Sequence, residues 1–261
     1  MRVISLRKGS GNIERPNVGK WSKHQHLAED EFLLNHLPKT ELYSPEALWT
    51  YAQSYNQVIL KPSGGGGGAG LIQLTRMNKE RYLIQTGKVK RVLQGKEATI
   101  NFIQSRFLKR LYLLQPRISL ACIEGRPFDI RVMIQRKSSE EPWVVTGLLA
   151  KLAGPGFVVT NIARSGGEVL PLDKALKLSK IPVSSQLTEQ IYHLSITVAK
   201  KLGEKYPTLR EIGLDLGIDV TGKPWIIEAN FRPATSLFQR LKDQTYYRRI
   251  KSVRRAYWQK G

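Results

Sequence analysis

Cysteine is almost absent from this sequence: Cys122 is the single one in 261 residues. One thiol can form neither an intrachain disulfide nor a cysteine-rich zinc site. Histidine is scarce as well, with four residues and no HExxH spacing, which argues against a metallohydrolase. No apolar run approaches the roughly 18–20 residues of a membrane span, and residues 1–8 lack the apolar region of a signal peptide. The expectation is a soluble cytoplasmic protein. Acidic residues are also few, 21 Asp and Glu against 42 Lys and Arg, for a formal charge of +21. Such an excess suggests an anionic partner and leaves nucleic acid, an acidic polymer, a membrane surface and phosphorylated ligands all open. The basic residues are dispersed rather than set in a stripe with aromatics, so dedicated nucleic-acid binding is weakly supported. A hydrophobic content of 41% is enough for a globular core.

The chain has no internal repeat and one low-complexity tract, a run of five glycines. Residues 1–19 read as a polar, basic arm. Apolar residues at helical spacing predict a helix over 20–37, ended by Pro38. Ser44-Pro45-Glu46 opens a second helix, with serine as N-cap and proline at the first helical position. Residues 58–61 form a short strand running into the glycine loop, and Leu71, Ile72 and Leu74 lie on the returning strand. Residues 98–114 read as mostly helical. Strands are expected over 118–123, 129–135, 143–152, 213–220 and 225–231. Leu187, Ile191, Leu194, Val198 and Leu202 mark an amphipathic helix. Intermixed helices and mainly antiparallel strands give an α+β fold.

Gly65 to Gly70 formally satisfies GxGxxG, but a dinucleotide fingerprint needs a helix directly after the turn, and 71–75 is strand-like. A Walker loop needs Gly-Lys-Ser/Thr, whereas Leu71 follows Gly70. A hairpin lid over a triphosphate remains, since glycines let backbone N–H groups reach phosphate oxygens while Lys61 supplies charge. The competing reading is a flexible surface loop. Farther on, Glu228 and Asn230 stand two apart on a strand and project from one face, and Asp215 on the neighbouring strand reaches that face. Three converging oxygen donors suit Mg²⁺. Asp219, nearer the turn, is expected to pair with a basic residue, and Cys122 to be a small buried strand residue.

In order and spacing, the sequence resembles the ATP-grasp superfamily over nearly the whole chain. The matching stretches are Val58 to Ser63 with the glycine loop, Phe128-Asp129-Ile130-Arg131, Lys151, Asn161 to Gly167, and Asp215 through Glu228-Ala229-Asn230 with Pro233. Arg126 to Arg131 and Thr160 to Gly167 are most similar to the endospore coat-associated YheC/YheD group. The resemblance implies two α+β subdomains gripping ATP, about 44–114 with the lid and about 115–240 with the carboxylates. It places them within a grasp domain over 20–240, followed by a basic helix or tail over 241–261. The usual full N-terminal substrate-binding domain is not expected, with only about nineteen residues ahead of Lys20. By the same resemblance Lys20 and Lys61 contact the phosphates, and Ser63, Gly64, Gly65, Gly66, Gly67 and Gly68 form the lid. Gln115 to Ile118 hold adenine, largely through backbone groups, while Pro116 and Arg117 stand where an acidic residue commonly follows the hinge. Asp215, Glu228 and Asn230 carry Mg²⁺, with Mn²⁺ as the alternative ion. Arg131, Lys151, Asn161 and Arg164 face the transferred phosphate and the acyl substrate.

The implied reaction is ADP-forming ligation of an unknown carboxylate to an amine or thiol through an acylphosphate, in a protein associated with the spore. Two alternatives stay open: a phosphotransferase with the same ATP half, and a spore-associated structural protein without turnover. Six basic residues (Arg248, Arg249, Lys251, Arg254, Arg255 and Lys260) lie outside every motif. On a C-terminal helix they would present a basic face to an acidic surface or polymer.

Overall fold

The computed structural model describes residues 19–65, 69–107, 110–157, 160, 162–181 and 185–258. The arm expected over 1–19 therefore lies outside the described residues except for Gly19. The strands form two antiparallel sheets, each with its own core.

The chain enters through α1 (Lys20–Leu27) and α2 (Glu31–Leu34), so the single helix expected over 20–37 is broken. The break has a local cause, because the Asp30 carboxylate accepts from the Leu33 N–H at 2.9 Å and caps a new helix start. After β1 (Glu41–Leu42) comes α3 (Pro45–Ser54), whose N-cap hydroxyl on Ser44 accepts from the Ala47 N–H at 3.0 Å. Strands β2 (Gln57–Pro62), β3 (Ile72–Arg76), β4 (Arg81–Thr86) and β5 (Val89–Gln94) then form a meander, followed by α4 (Lys96–Phe107) and β6 (Tyr112–Pro116). Helix was expected to run through residue 114. Instead, Tyr112 to Pro116 form a central strand, taken out of the helix by pairing with β1 on one side and β2 on the other. The first sheet has the order β1-β6-β2-β3-β4-β5.

The second sheet begins with β7 (Cys122–Ile123) and β8 (Arg126–Gln135), joined through Glu124 and Gly125, both at positive φ as a tight two-residue hairpin requires. Cys122 is exposed, contrary to the buried position expected of it. Its strand has only two residues, and Ala121 and Ile123 on either side take the inward positions. Next come β9 (Val144–Leu152), α5 (Ile162–Ser165), β10 (Glu168–Leu170), α6 (Leu172–Leu178), α7 (Ser185–Lys205), β11 (Glu211–Ile218), β12 (Pro224–Asn230) and α8 (Thr245–Trp258). The sheet order is β10-β9-β8-β11-β12, with β7 paired to β8. All five periodic residues of α7 are buried in its core. Leu27, Leu33 and Leu37 join that same core, so the entering helices pack with the second sheet and not with the first.

Asp219 makes a turn and, among the described residues, has no ion pair with a basic side chain. Its carboxylate accepts from the Thr221 and Lys223 N–H groups and from Trp225 Nε1, at 2.8–3.0 Å. Helix α8 is docked: Ile250 is fully buried with Met133, Leu149 and Phe238, on the same face of the second sheet as Arg131. Arg254 turns inward, donating to both Glu211 oxygens at 2.7 and 2.9 Å, and so leaves the outward basic face that Arg248, Arg249 and Arg255 still present. Lys260 lies outside the described residues. No helix among the described residues is long and apolar enough to cross a membrane.

Candidate functional site

Strand alternation and register assemble the cleft floor. Asp129 and Arg131 stand two apart on β8 and share a face; Lys151 is opposite Asp129, Asp215 opposite Arg131, and Glu228 opposite Asp215. Arg131 grips Asp215 with two parallel bonds, Nε to Oδ1 at 2.7 Å and Nη2 to Oδ2 at 3.0 Å. Lys151 Nζ donates to Asp215 Oδ1 at 2.9 Å and lies 3.0 Å from Asp129 Oδ1. Thr160 donates its hydroxyl proton to Asp129 Oδ2. These charges are buried, with Asp129 at 3% and Asp215 and Lys151 at 6% exposure. Burial alone would raise the Asp215 carboxyl, but the charges of Arg131 and Lys151 overcome it and hold Asp215 well below the usual carboxylate range. Burial does prevail at Asp129, which is raised despite Lys151.

The opposite wall comes from α1, β2 and the loop between β2 and β3. Lys20 Nζ donates to the Gly65 carbonyl at 2.7 Å and lies 3.3 Å from Glu228 Oε1 across the cleft. Lys61 Nζ donates to the Ile227 carbonyl at 3.2 Å. Both lysines thus meet β12 at Glu228 and the residue before it, although they enter the chain more than 160 residues earlier, as the Lys61 to Ile227 separation of 166 shows. Gly70 anchors the returning side of the loop. It has φ +77°, its carbonyl accepts from the Tyr112 hydroxyl at 3.0 Å, and a Cβ there would stand 2.8 Å from that oxygen. Next to this charged cleft lies an apolar cavity of about 130 Å³, walled by Ile59, Leu71, Leu120, Ile227 and residues 115–118.

Most of the expected site residues converge here. Lys20, Lys61, Gly64, Gly65, Arg131, Lys151, Asp215, Glu228 and Asn230 line the cleft, while Gln115 and Ile118 line the apolar cavity. Ser63 sits at the lid base, where its backbone carbonyl accepts from the Lys20 N–H and its hydroxyl from the Trp21 N–H, so it holds α1. The Gln115 side chain is tied to Thr40, donating from Nε2 at 2.7 Å. Gly66, Gly67, Gly68 and Asn161, and the side chain of Arg164, lie outside the described residues. Sequence reasoning gave no role to Asp129, Thr160 or Arg232, which also line the cleft. Asp129 was findable, since its spacing from Arg131 on a strand puts both on one face. Thr160 comes from a loop whose path no local pattern fixes.

Burial pushes the Lys61 ammonium down to about 8, with Lys20 and Lys23 adding to the fall and Glu228 opposing it. A polyphosphate beside it would favour the charged form. Binding of ATP should therefore take up protons near pH 8, and affinity should decline as pH rises through that value. Calorimetry at pH 8.5 in two buffers of different ionisation heat measures the uptake; it should vanish in Lys61→Met, and equal heats in both buffers for the unaltered protein would contradict the assignment.

The donor set fits a hard divalent cation. Asp215 and Glu228 face the cleft from paired positions, and Asn230, with Nδ2 3.5 Å from Asp215 Oδ2, adds an amide oxygen once rotated. Among the described residues no group of three His, Cys, Asp or Glu side chains converges, so any ion bound here would rest on two carboxylates and that amide, with remaining positions left for phosphate oxygens and water.

Comparison with known proteins bears on the family and the fold. The family model described as YheC/D-like ATP-grasp matches residues 12–259. The endospore coat-associated protein YheD of Bacillus subtilis (strain 168) is 29% identical over 231 residues, covering 84% of this chain and 49% of YheD. YheC of the same organism is 26% identical over 245 residues, covering 90% of this chain and 66% of YheC. The chain thus spans about half to two thirds of these curated relatives. Among solved structures, the D-cycloserine synthetase DcsG aligns with a TM-score of 0.55 at 10% identity, covering 92% of this chain and 70% of DcsG. The ATP-grasp ligase PsnB, complexed with Mg, ADP and a phosphomimetic variant of its minimal precursor, aligns at 0.53 and 14%, covering 92% of this chain and 59% of PsnB. At these identities the two structures establish the ATP-grasp fold.

Proposed function

The chain belongs to the YheC/D-like ATP-grasp family, and from that premise we propose that it is an ATP- and Mg²⁺-dependent, ADP-forming ligase that joins a carboxylate to an amine or thiol. The observation that carries this reading is the meeting of Lys20 from α1 and Lys61 from β2 with Asp215 and Glu228 from β11 and β12 across a single cleft. In this reading the domain extends over 20–240, with the lid-bearing part near 44–114 and the carboxylates within 115–240. The two endospore coat-associated relatives support a spore-associated setting.

A carboxylate oxygen of the substrate attacks the γ-phosphorus of ATP, the bond to the β-phosphate oxygen breaks, and ADP leaves. The nucleophile then attacks the acyl carbon, the acyl C–O bond breaks, and phosphate departs as the nucleophile's proton passes to solvent or base. Two anions must be brought together first. Lys20 and Lys61 balance the triphosphate from the lid side, while Arg131 and Lys151 face the transferred phosphate and the acyl group. Mg²⁺, held by Asp215, Glu228 and Asn230, would neutralise phosphate charge. Buried ion pairs keep Asp215 ionised and fixed, so the floor needs little reorganisation when nucleotide enters.

Glu228→Gln tests the reading, because it preserves shape and removes one charge. Mg-ATP affinity should fall about tenfold or more, in line with the loss of a charged contact, with little change in folding. Calorimetry showing unchanged Mg-ATP affinity would defeat the metal assignment. Screening metabolites and peptides for stimulated ADP release identifies the acceptor; phosphorylation of a non-carboxylate acceptor would replace the ligase reading with phosphotransfer.

A further inference from the structure

Strand β10 is the outermost strand on its side of the second sheet, and its pairing shows which way its backbone points. The Ala153 N–H donates to the Pro127 carbonyl at 2.9 Å, so residue 153 and, by alternation, Lys151 turn their backbone groups toward β8. Leu152 and Ala150 therefore bond to Glu168 and Leu170, their register partners on β10. Val169, between them, is left with its N–H and C=O facing outward, where among the described residues no backbone group meets them. That edge opens on a groove of about 870 Å³. Leu148 and Leu170 pack with the core beneath α7, and Val169 with the cluster of Met133 and Leu149 on the other face. All of Leu148, Val169 and Leu170 line the groove, so it wraps around the strand edge.

The open backbone groups call for an extended chain, since an added strand is what satisfies an unpaired edge. The rim calls for negative charge. Lys174, Arg240 and Lys242 are exposed at the groove, and among the described residues none of the three has an ion pair. Of the two acids there, Asp243 already accepts from the Thr245 N–H at 2.8 Å and its hydroxyl at 2.6 Å, which leaves Asp173 to oppose three cations. A second copy of the chain is disfavoured as occupant by its own charge of +21. The edge also looks toward the cleft. Val169 stands directly opposite Lys151 and shares its face. A residue opposite Val169 on an added strand would therefore show its side chain on the cleft face, two strand spacings or about 10 Å from the Lys151 backbone.

We propose that this groove docks an extended acidic polypeptide as an added strand beside β10, and that such a polypeptide supplies the carboxylate ligated in the cleft. The docking stands on the groove alone, whereas the substrate role rests on the ligase reading above, and the two fail separately. Fluorescence anisotropy of the full chain with a fluorescein-labelled decapeptide of alternating Val and Glu should show binding without nucleotide. It should be about tenfold tighter than for a counterpart of alternating Val and Lys, as charge complementarity requires. Val169→Pro removes the outward N–H without touching the bonds to β9, and should weaken binding about fivefold, as the loss of one hydrogen bond does. Val169→Ala keeps that N–H and should leave binding nearly unchanged. A Val and Glu probe N-methylated throughout keeps the charge and loses every backbone donor; it should also bind weakly, and it decides the matter if Val169→Pro does not fold. Full binding of the N-methylated probe would reduce the attraction to general surface charge and overturn the docking, as would equal binding of the Val and Lys probe. Dimerisation in sedimentation that Val169→Pro abolishes would give the edge to a second copy of the chain and overturn it too. The Val and Glu decapeptide should also stimulate ADP release from Mg-ATP. Peptide that binds without stimulating release would overturn the substrate role, and absence of any Mg-ATP binding would overturn the ligase reading while the docking is judged by anisotropy alone.

Discussion

Asp215→Asn should cost about 3–5 kcal/mol of folding stability, the range for removing one partner from a buried ion pair. The substitution is nearly isosteric, so the loss is electrostatic. Arg131 would lose one of its two parallel bonds and the charge behind the other, and Lys151 would keep only Asp129 as a counter-charge. Glu228→Gln is the contrasting case. Glu228 lies 3.3 Å from Lys20 with its side chain 20% exposed against 9% for Asp215 and makes no paired bonds of the Arg131 kind, so its loss should cost clearly less stability. Denaturant unfolding should therefore separate two carboxylates assigned to the same ion: Asp215 is a structural keystone, whereas Glu228 acts mainly on ligand. Similar losses in both variants would show that the Arg131 and Lys151 pairs do not hold the floor together. The pH dependence has a definite sign. Because the folded Asp215 carboxyl is lowered, its contribution is present above the unfolded carboxylate value and is lost as pH falls through the folded one. The asparagine variant should lack that acid limb.

Gly154→Ala should disturb the other end of the site through sterics alone. A Cβ on Gly154 would stand 1.7 Å from the Ser165 carbonyl oxygen, and that atom belongs to backbone and cannot rotate away. The Gly154 N–H also donates to Ser165 Oγ at 3.1 Å, so the two residues close the base of the segment that carries Thr160. Opening this closure should cost about 1–3 kcal/mol, as overpacking does, and should displace that segment from the cleft. Gly156→Ala is the control: it meets nothing within 4 Å but has φ +78°, so only backbone strain of about 1 kcal/mol applies. Thermal unfolding and nucleotide titration of both variants test this. If Gly156→Ala proved equal to or worse than Gly154→Ala, the close approach would not be the controlling contact.

Sequence by itself determined the features that depend on neighbours along the chain. The 3.6-residue periodicity of α7, the Ser44 cap ahead of Pro45, and the shared face of Glu228 and Asn230 are short-range consequences of helix and strand geometry, and the structure reproduces each. The charged motif containing Asp129 and Arg131 was equally visible. Tertiary structure decided what depends on distant pairing. Tyr112 to Pro116 became strand because β1 and β2 flank them, against a local helical preference. Leu27, Leu33 and Leu37 chose the second core over the first. Ile250 and Glu211 drew α8 and Arg254 inward, turning an expected tail into a packed layer. Lys151 reached Asp215 only through the register of β9, β8 and β11. Alternation tells which side chains share a face, but the partner across a sheet or cleft is selected by packing among elements far apart in the chain, and no local spacing encodes that choice.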